Sequence, residues 1–230
     1  MLNIVLFGAP GCGKGTQAAR LKEKYGIDHV STGNVIREEI ARGTKLGKEM
    51  ESYITTGRLA PDQVVIDMIA DYIAAHKHAK GNIFDGFPRT THQAEEFDRM
   101  LSEQGLKVDV MIYMDVPEEE LVKRILLRGK ESGRADDASE EVIRDRLKVY
   151  HDQTAVLSDF YAAQGKYASV DGIGSIDEVF DRIAGIVEIA RTVGAGHILP
   201  AHDILDRDGL KRADHLELFV AHRVRVEMIG

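Results

Sequence analysis

Five apolar runs recur along the chain, Leu2 to Phe7, His29 to Ser31, Asn82 to Asp85, Val108 to Met114 and Tyr167 to Asp171, and amphipathic stretches with helical spacing lie between them. Strands that are apolar throughout, not alternately, are buried on both faces, as in a parallel sheet covered by helices. The alternation therefore predicts an α/β fold with a five-stranded parallel sheet, and places any ligand beyond the carboxyl ends of the strands. The helices carry their own punctuation. Pro61 opens one that runs towards His76, Pro117 opens another with Glu118, Glu119 and Glu120 in its first turn, and Ser175 with Glu178 reads as a capping box for Ile176 to Arg191. A long helix is expected from about Ser139 to Gly165.

Two stretches stand outside this alternation. Asn34 to Thr56 reads as two short helices broken at Arg42-Gly43 and ended at Gly57, a small lobe projecting from the core. Arg128 to Asp136 encloses the polar, glycine-containing Gly129-Lys130-Glu131-Ser132-Gly133-Arg134-Ala135, which reads as a loop. Both are expected to be movable covers.

The 230 residues suffice for one α/β domain with small insertions. A net charge of −8 argues against a nucleic-acid surface and leaves room only for a local basic cleft. The start Met1 to Phe7 is too short for a signal peptide and no apolar run is of membrane-spanning length, so a cytoplasmic protein without membrane association is expected. Cys12 is the single cysteine, which leaves no disulfide framework and no cysteine cluster for structural zinc. It reads as a small space-filling side chain, against the competing reading of an oxidisable thiol near a helix N-terminus.

Candidate chemistry starts where the first strand stops. Gly8-Ala9-Pro10-Gly11-Cys12-Gly13-Lys14-Gly15-Thr16 follows the strand and precedes the helix-favouring Gln17-Ala18-Ala19-Arg20-Leu21, which is the order a phosphate-binding loop requires. Glycines let backbone N–H groups converge on an anion, the helix dipole adds to their pull, and Lys14 supplies a point charge. The competing reading is a glycine-rich turn with a surface lysine. Gly15 stands where such loops usually place a metal-binding hydroxyl, so a metal has to be held elsewhere. Asp85 ends the third strand and is the candidate, although an aspartate there also caps a turn.

Gly8 to Gln17, Ser31-Thr32-Gly33, and Asp85-Gly86-Phe87-Pro88-Arg89 together resemble the adenylate kinase family. The similarity continues through Arg124-x-x-x-Arg128, Ser132 to Asp137, Arg146 and Val170-Asp171-Gly172, and covers residues 1–191, with the small lobe at 31–60 and the lid at 127–137. It implies a P-loop nucleoside-monophosphate kinase fold and Mg²⁺-dependent transfer of the γ-phosphoryl of ATP to AMP, giving two ADP. By motif position, Gly11, Cys12, Gly13, Lys14, Gly15 and Thr16 would bind ATP phosphates, with Arg124 on the adenine, Arg128 on the phosphates and Gly174 nearby. AMP would be bound by Thr32, Arg37, the backbone at Arg58, Leu59 and Ala60, and by Gly86, Phe87, Pro88, Arg89 and Gln93, while Arg134 and Arg146 clamp the transferring group. The resemblance thus makes Lys14, Arg89, Arg128, Arg134 and Arg146 catalytic. Asp85 would orient the magnesium, and Asn34, where the family usually has Asp, would act on it through water.

Two anionic nucleotides brought into line repel each other, and closely placed arginines offset that repulsion with planar, permanently charged forks. Arg124 and Arg128 are four apart on one helix and share a face, whereas Arg144 and Arg146 are two apart and do not, so at most one of that pair enters a site. Each arginine alone would read as a solvated ion-pair partner. Gln93 can pair with an adenine edge or, with Thr90, form a capping box. The similar UMP/CMP kinases typically carry Ala and Asn where Thr32 and Gln93 stand, so that activity is the runner-up, and a nucleotide-binding sensor without catalysis is the alternative of another class.

The lid is too short for a hairpin and lacks metal-ligand spacing, which excludes a zinc-bearing lid. The extension 192–230 matches nothing in the family. Its four histidines, His197, His202, His215 and His222, have spacings that fit no metal motif, and its strand-like end at Leu218 to Val226 could pack on the core, hang loose, or turn an expected monomer into a dimer.

Overall fold

The computed structural model describes residues 1–137 and 139–193. The histidines and the terminal strand expected of the extension lie outside the described residues.

Strands β1 (Leu2–Phe7), β2 (Asp28–Ser31), β3 (Gly81–Asp85), β4 (Val110–Asp115) and β5 (Tyr167–Asp171) form one sheet in the order β2-β3-β1-β4-β5, and every pairing is parallel. The expected five strands are present, with ends moved by one or two residues. Ile4, Ile83 and Ile112 are completely buried because helices cover both faces of the sheet. Helix α1 (Lys14–Tyr25) follows β1, and α2 (Thr32–Ala41) and α3 (Lys45–Thr55) occupy the stretch expected to form the small lobe. They are broken where the sequence reads a break, at Gly43, which has φ 65°. Thr44 then caps α3 by accepting the Gly47 N–H.

Helix α4 (Asp62–Ala75) leads from the lobe into β3, and α5 (Thr91–Ser102) leads from β3 towards β4. After β4 come α6 (Glu118–Ser132), α7 (Glu140–Val149), α8 (Leu157–Ala162), β5 and α9 (Ile176–Val193). Pro61 and Pro117 sit at the N-caps of α4 and α6. The Ser175 box closes in both directions, Glu178 Oε2 accepting the Ser175 N–H at 2.7 Å and Ser175 Oγ accepting the Glu178 N–H at 3.2 Å.

Two elements differ from expectation. Gly129 to Ser132 continue α6, and the turn comes only at Gly133, whose φ of 64° ends the helix. Gly129 is a place of close approach: a Cβ there would lie 2.5 Å from the carbonyl oxygen of Asp137. The long helix expected from Ser139 is interrupted by a wide, π-helical turn over Tyr150–Thr154 before α8 begins. That turn directs the buried Thr154 hydroxyl to the carbonyl of Arg89, to which it donates at 2.9 Å. A contact 65 positions away in sequence outweighs continuous helix here.

Candidate active site

β1 lies between β3 and β4, so the chain leaves it at a point where successive crossovers run to opposite sides. The loop after Phe7 therefore opens into a crevice. Gly13, the N-cap of α1, has φ 103° and no side-chain cap, which leaves the first N–H groups of the helix free to face an anion. Lys14 Nζ arches back over the loop and donates to the carbonyls of Gly8 at 2.8 Å and Ala9 at 3.0 Å. Helix α6 packs beneath: a Cβ on Gly11 would lie 2.6 Å from Cγ1 of Ile125. Cys12 is buried and unpaired.

Register brings Asp85 beside this loop, since Leu6 of β1 pairs with Asp85 of β3. Burial pushes its carboxyl up, but His29, Lys14 and Arg89 together outweigh burial and hold it below the usual carboxylate range. His29 Nε2 is 3.6 Å from Asp85 Oδ2. A Cβ on Gly15 would stand 3.8 Å from the same oxygen, so the absent hydroxyl leaves Asp85 facing the helix start directly. Among the described residues, no group of three or more His, Cys, Asp or Glu is arranged to hold a metal ion. A magnesium ion that arrives on nucleotide phosphates and keeps most of its water fits this site, because it needs one or two carboxylates and not a protein cage.

The arginines converge from three helices and two loops. Arg128 on α6 grips Asp137 in a fork, Nε to Oδ2 at 2.7 Å and Nη2 to Oδ1 at 2.9 Å. Arg146 on α7 donates to the same Oδ1 at 2.7 Å and to the carbonyl of Asp136 at 2.8 Å. Asp136 Oδ2 stands 3.2 Å from Arg146 and 3.8 Å from Arg37 of α2. Burial pushes Asp137 up and the two guanidiniums pull it down further, for a net lowering. Arg89 is held by its Nε–H to the carbonyl of Gly86 at 2.8 Å, and burial together with the nearby charge of Arg146 lowers its pKa. Burial and the charge of Arg134 lower Arg37 to about 10. This is a concentrated positive field, partly offset by two aspartates. The lid thus carries its own counter-ions.

Of the residues expected at the site, Gly11 to Thr16, Asn34, Arg37, Leu59, Asp85 to Arg89, Arg124, Arg128, Arg134, Arg146 and Gly174 line one cleft of about 1020 Å³. Arg124 donates from Nε to Glu120 at 2.9 Å and from Nη1 to the carbonyl of Gly172 at 3.2 Å. Arg144 points away and pairs with Glu140 at 2.5 Å. Thr32, Ala60 and Gln93 do not line the cleft in this conformation: Thr32 is buried with its hydroxyl donating to the Gly86 carbonyl at 3.0 Å, and Gln93 is 1% exposed. The Arg58 side chain turns back within the lobe, over the Tyr53 ring and onto Thr56 Oγ1.

Asn34 faces two arginines. Its amide oxygen, expected to meet a magnesium-bound water, accepts from Arg37 Nη2 at 2.6 Å and from Arg134 Nη2 at 3.5 Å. Of the competing capping-box reading, Gln93 and Thr90 make only half: Thr90 Oγ1 accepts the Gln93 N–H, whereas Gln93 Oε1 accepts from Arg89 and not from Thr90. His29, Asp62, Asp136, Asp137 and Thr154 bear on the site without having been singled out. Only the acidic pair left a trace in the sequence, as part of the motif after Arg134.

A cleft of this size exceeds what one drug-sized ligand needs, and its positive lining suits two phosphate chains. Loop, sheet order and lining together make the molecule a P-loop phosphotransferase. A family model described as adenylate kinase matches residues 6–166. Adenylate kinase from Phocaeicola vulgatus is 55% identical over 188 residues, which are 82% of this chain and 99% of that protein. The adenylate kinase of Bacteroides fragilis is 53% identical over the same shares, and that of Porphyromonas gingivalis 48% over 193 residues, 84% of this chain and 99% of its own. The chain belongs to the adenylate kinase family, and its activity is that of an ATP:AMP phosphotransferase.

Proposed function

We propose that this cleft carries out the reversible, Mg²⁺-dependent reaction of ATP with AMP to two ADP through the residues described above. The observation that carries the reading is the convergence of Lys14, Arg89, Arg128, Arg134 and Arg146 on one cleft, between the loop at β1 and the small lobe. Residues Gly11 to Thr16 cradle the phosphates of ATP, and Arg124 and Gly174 border its base. AMP lies against the lobe, with its phosphate on Arg37 and Arg89 and its base towards Thr32, Gln93 and the backbone at Arg58 to Ala60.

A phosphate oxygen of AMP attacks the γ-phosphorus, and the bond to the β,γ-bridging oxygen breaks with its electrons passing to ADP. The acceptor phosphate is already ionised near neutral pH, so no general base is needed. Lys14 and the arginines hold donor and acceptor in line and offset their repulsion. Asp85 would hold a magnesium ion through its water shell, and that ion would supply positive charge to offset the charge on the nucleotide phosphates. Arg128 and Arg146, held by Asp136 and Asp137, close with Arg134 over the transferring group and exclude water.

The single unpaired cysteine fits a reducing, cytoplasmic setting. Among the described residues no helix is long and apolar enough to cross a membrane. The reading takes residues 1–191 as the catalytic unit and 192–230 as an extension, with the monomer as the working state. A coupled assay of ADP formation with AMP, CMP, UMP and GMP tests it: AMP is expected to be the strongly preferred acceptor. Equal or better turnover with CMP or UMP would reassign the acceptor site.

A further inference from the structure

The amide of Gln93 is gripped by two neighbours of opposite polarity. Its Oε1 accepts the backbone N–H of Arg89 at 2.8 Å, and its Nε2 donates to Oδ1 of Asp62 at 2.7 Å. The other Asp62 oxygen accepts the Thr90 hydroxyl at 2.9 Å, and that hydroxyl oxygen accepts the Gln93 N–H at 3.2 Å. Asp62 is the first residue of α4 and lies 31 positions before Gln93.

A free glutamine amide cannot tell a 6-aminopurine from a 6-oxopurine. Adenine offers an acceptor at N1 beside a donor at its 6-amino group, and a 6-oxopurine offers the reverse. A half-turn of the amide exchanges its own donor and acceptor and satisfies either base. Here the half-turn is blocked. A carboxylate only accepts and a backbone N–H only donates, so the turned amide would set donor against donor at Arg89 and acceptor against acceptor at Asp62. Gln93 is 1% exposed, so water does not relieve those contacts.

We infer that Asp62 is a specificity-determining positioning residue. It fixes the polarity of the Gln93 amide, so that the N–H and the oxygen lone pair left after these two bonds match adenine and oppose a 6-oxopurine. This rests on the reading above that Gln93 meets the acceptor base. Discrimination then comes from the pair, Asp62 setting the orientation and Gln93 presenting it.

The test compares kcat/KM for AMP and for inosine monophosphate, whose base is a 6-oxopurine, at saturating ATP in wild type, Asp62→Ala, Asp62→Ser and Gln93→Ala. Both Asp62 variants are expected to lower the AMP-to-IMP ratio about tenfold, with the AMP KM raised and the ATP KM unchanged. Serine is included because its hydroxyl serves either amide orientation and still suits a helix start, which keeps the question answerable if the alanine variant does not fold. A role confined to anchoring α4 on α5 would lower thermal stability and depress both acceptors in proportion. An unchanged ratio in a folded Asp62 variant, with Gln93→Ala collapsing it, overturns the lock and leaves base reading intact. An unchanged ratio in Gln93→Ala overturns base reading and the lock together.

Discussion

Arg89 is the residue whose surroundings fix its function most tightly. Its Nε–H is committed to the Gly86 carbonyl, its backbone N–H to Gln93 and its own carbonyl to the Thr154 hydroxyl, so the fork is aimed with little freedom left. Arg89→Lys retains charge but cannot make the Gly86 bond and still present two parallel donors. Turnover should fall by about 100-fold or more with the thermal midpoint and ATP KM near wild type, and unchanged kinetics would remove Arg89 from the reaction. At Asn34 the neighbours decide the sign. With Arg37 Nη2 at 2.6 Å, a carboxylate in place of the amide would compete with the AMP phosphate for that arginine. Asn34→Asp is therefore expected to raise the AMP KM several-fold and leave the magnesium concentration for half-maximal activity where it was. A shift in the magnesium titration alone would put Asn34 on the metal after all.

At the scale of elements, the informative feature is where helices do not follow propensity. Gly129 lies inside α6, where alanine would be worth about 1 kcal/mol to helix stability. A Cβ there would approach the Asp137 carbonyl to 2.5 Å, and forcing lid and helix apart costs about 2 kcal/mol, so the clash wins. Gly129→Ala should thus be destabilised in thermal melts and should also raise the ATP KM, since Arg128 precedes the glycine and grips Asp137. A stabilised, fully active variant would show the approach to be slack. The wide turn at Tyr150–Thr154 follows the same logic, trading regular helix for one hydrogen bond at the site.

For the molecule as a whole, a net charge of −8 coexists with a cleft lined by positive groups, and Asp136 and Asp137 make the two compatible. The Asp137 side chain is 0% exposed and its pKa is lowered in the fold. A carboxyl with a lowered native pKa stabilises the fold above its unfolded value, near 3.9, and loses that contribution as pH falls through the native value. Asp137→Asn should lower stability by about 2 kcal/mol near pH 7, or about 4–8 °C in midpoint. The gap to wild type should close as the pH falls below about 4. Melts recorded across that range check the sign. A gap constant with pH would mean that packing, not charge, accounts for the loss.

The sequence by itself determined the sheet, the loop at Gly8 to Thr16, the two short helices broken at Gly43 and the family, because these depend on patterns within a few residues: apolar runs, helix caps and the glycines that let a backbone wrap an anion. Arg146 over Arg144 was also legible, since helical spacing separates their faces and the family motif selects between them. The hydrogen-bond partners were not. Asp62 is 31 positions from Gln93, Thr154 is 65 from Arg89 and Arg134 is 100 from Asn34, and no local pattern records a pairing at that distance. Gly129 looked like a loop residue because a glycine inside a helix makes sense only once the chain that passes it is known. Tertiary structure decided these points for one physical reason: a buried donor or acceptor takes whichever partner the fold brings within reach, and folding, not sequence order, sets that distance.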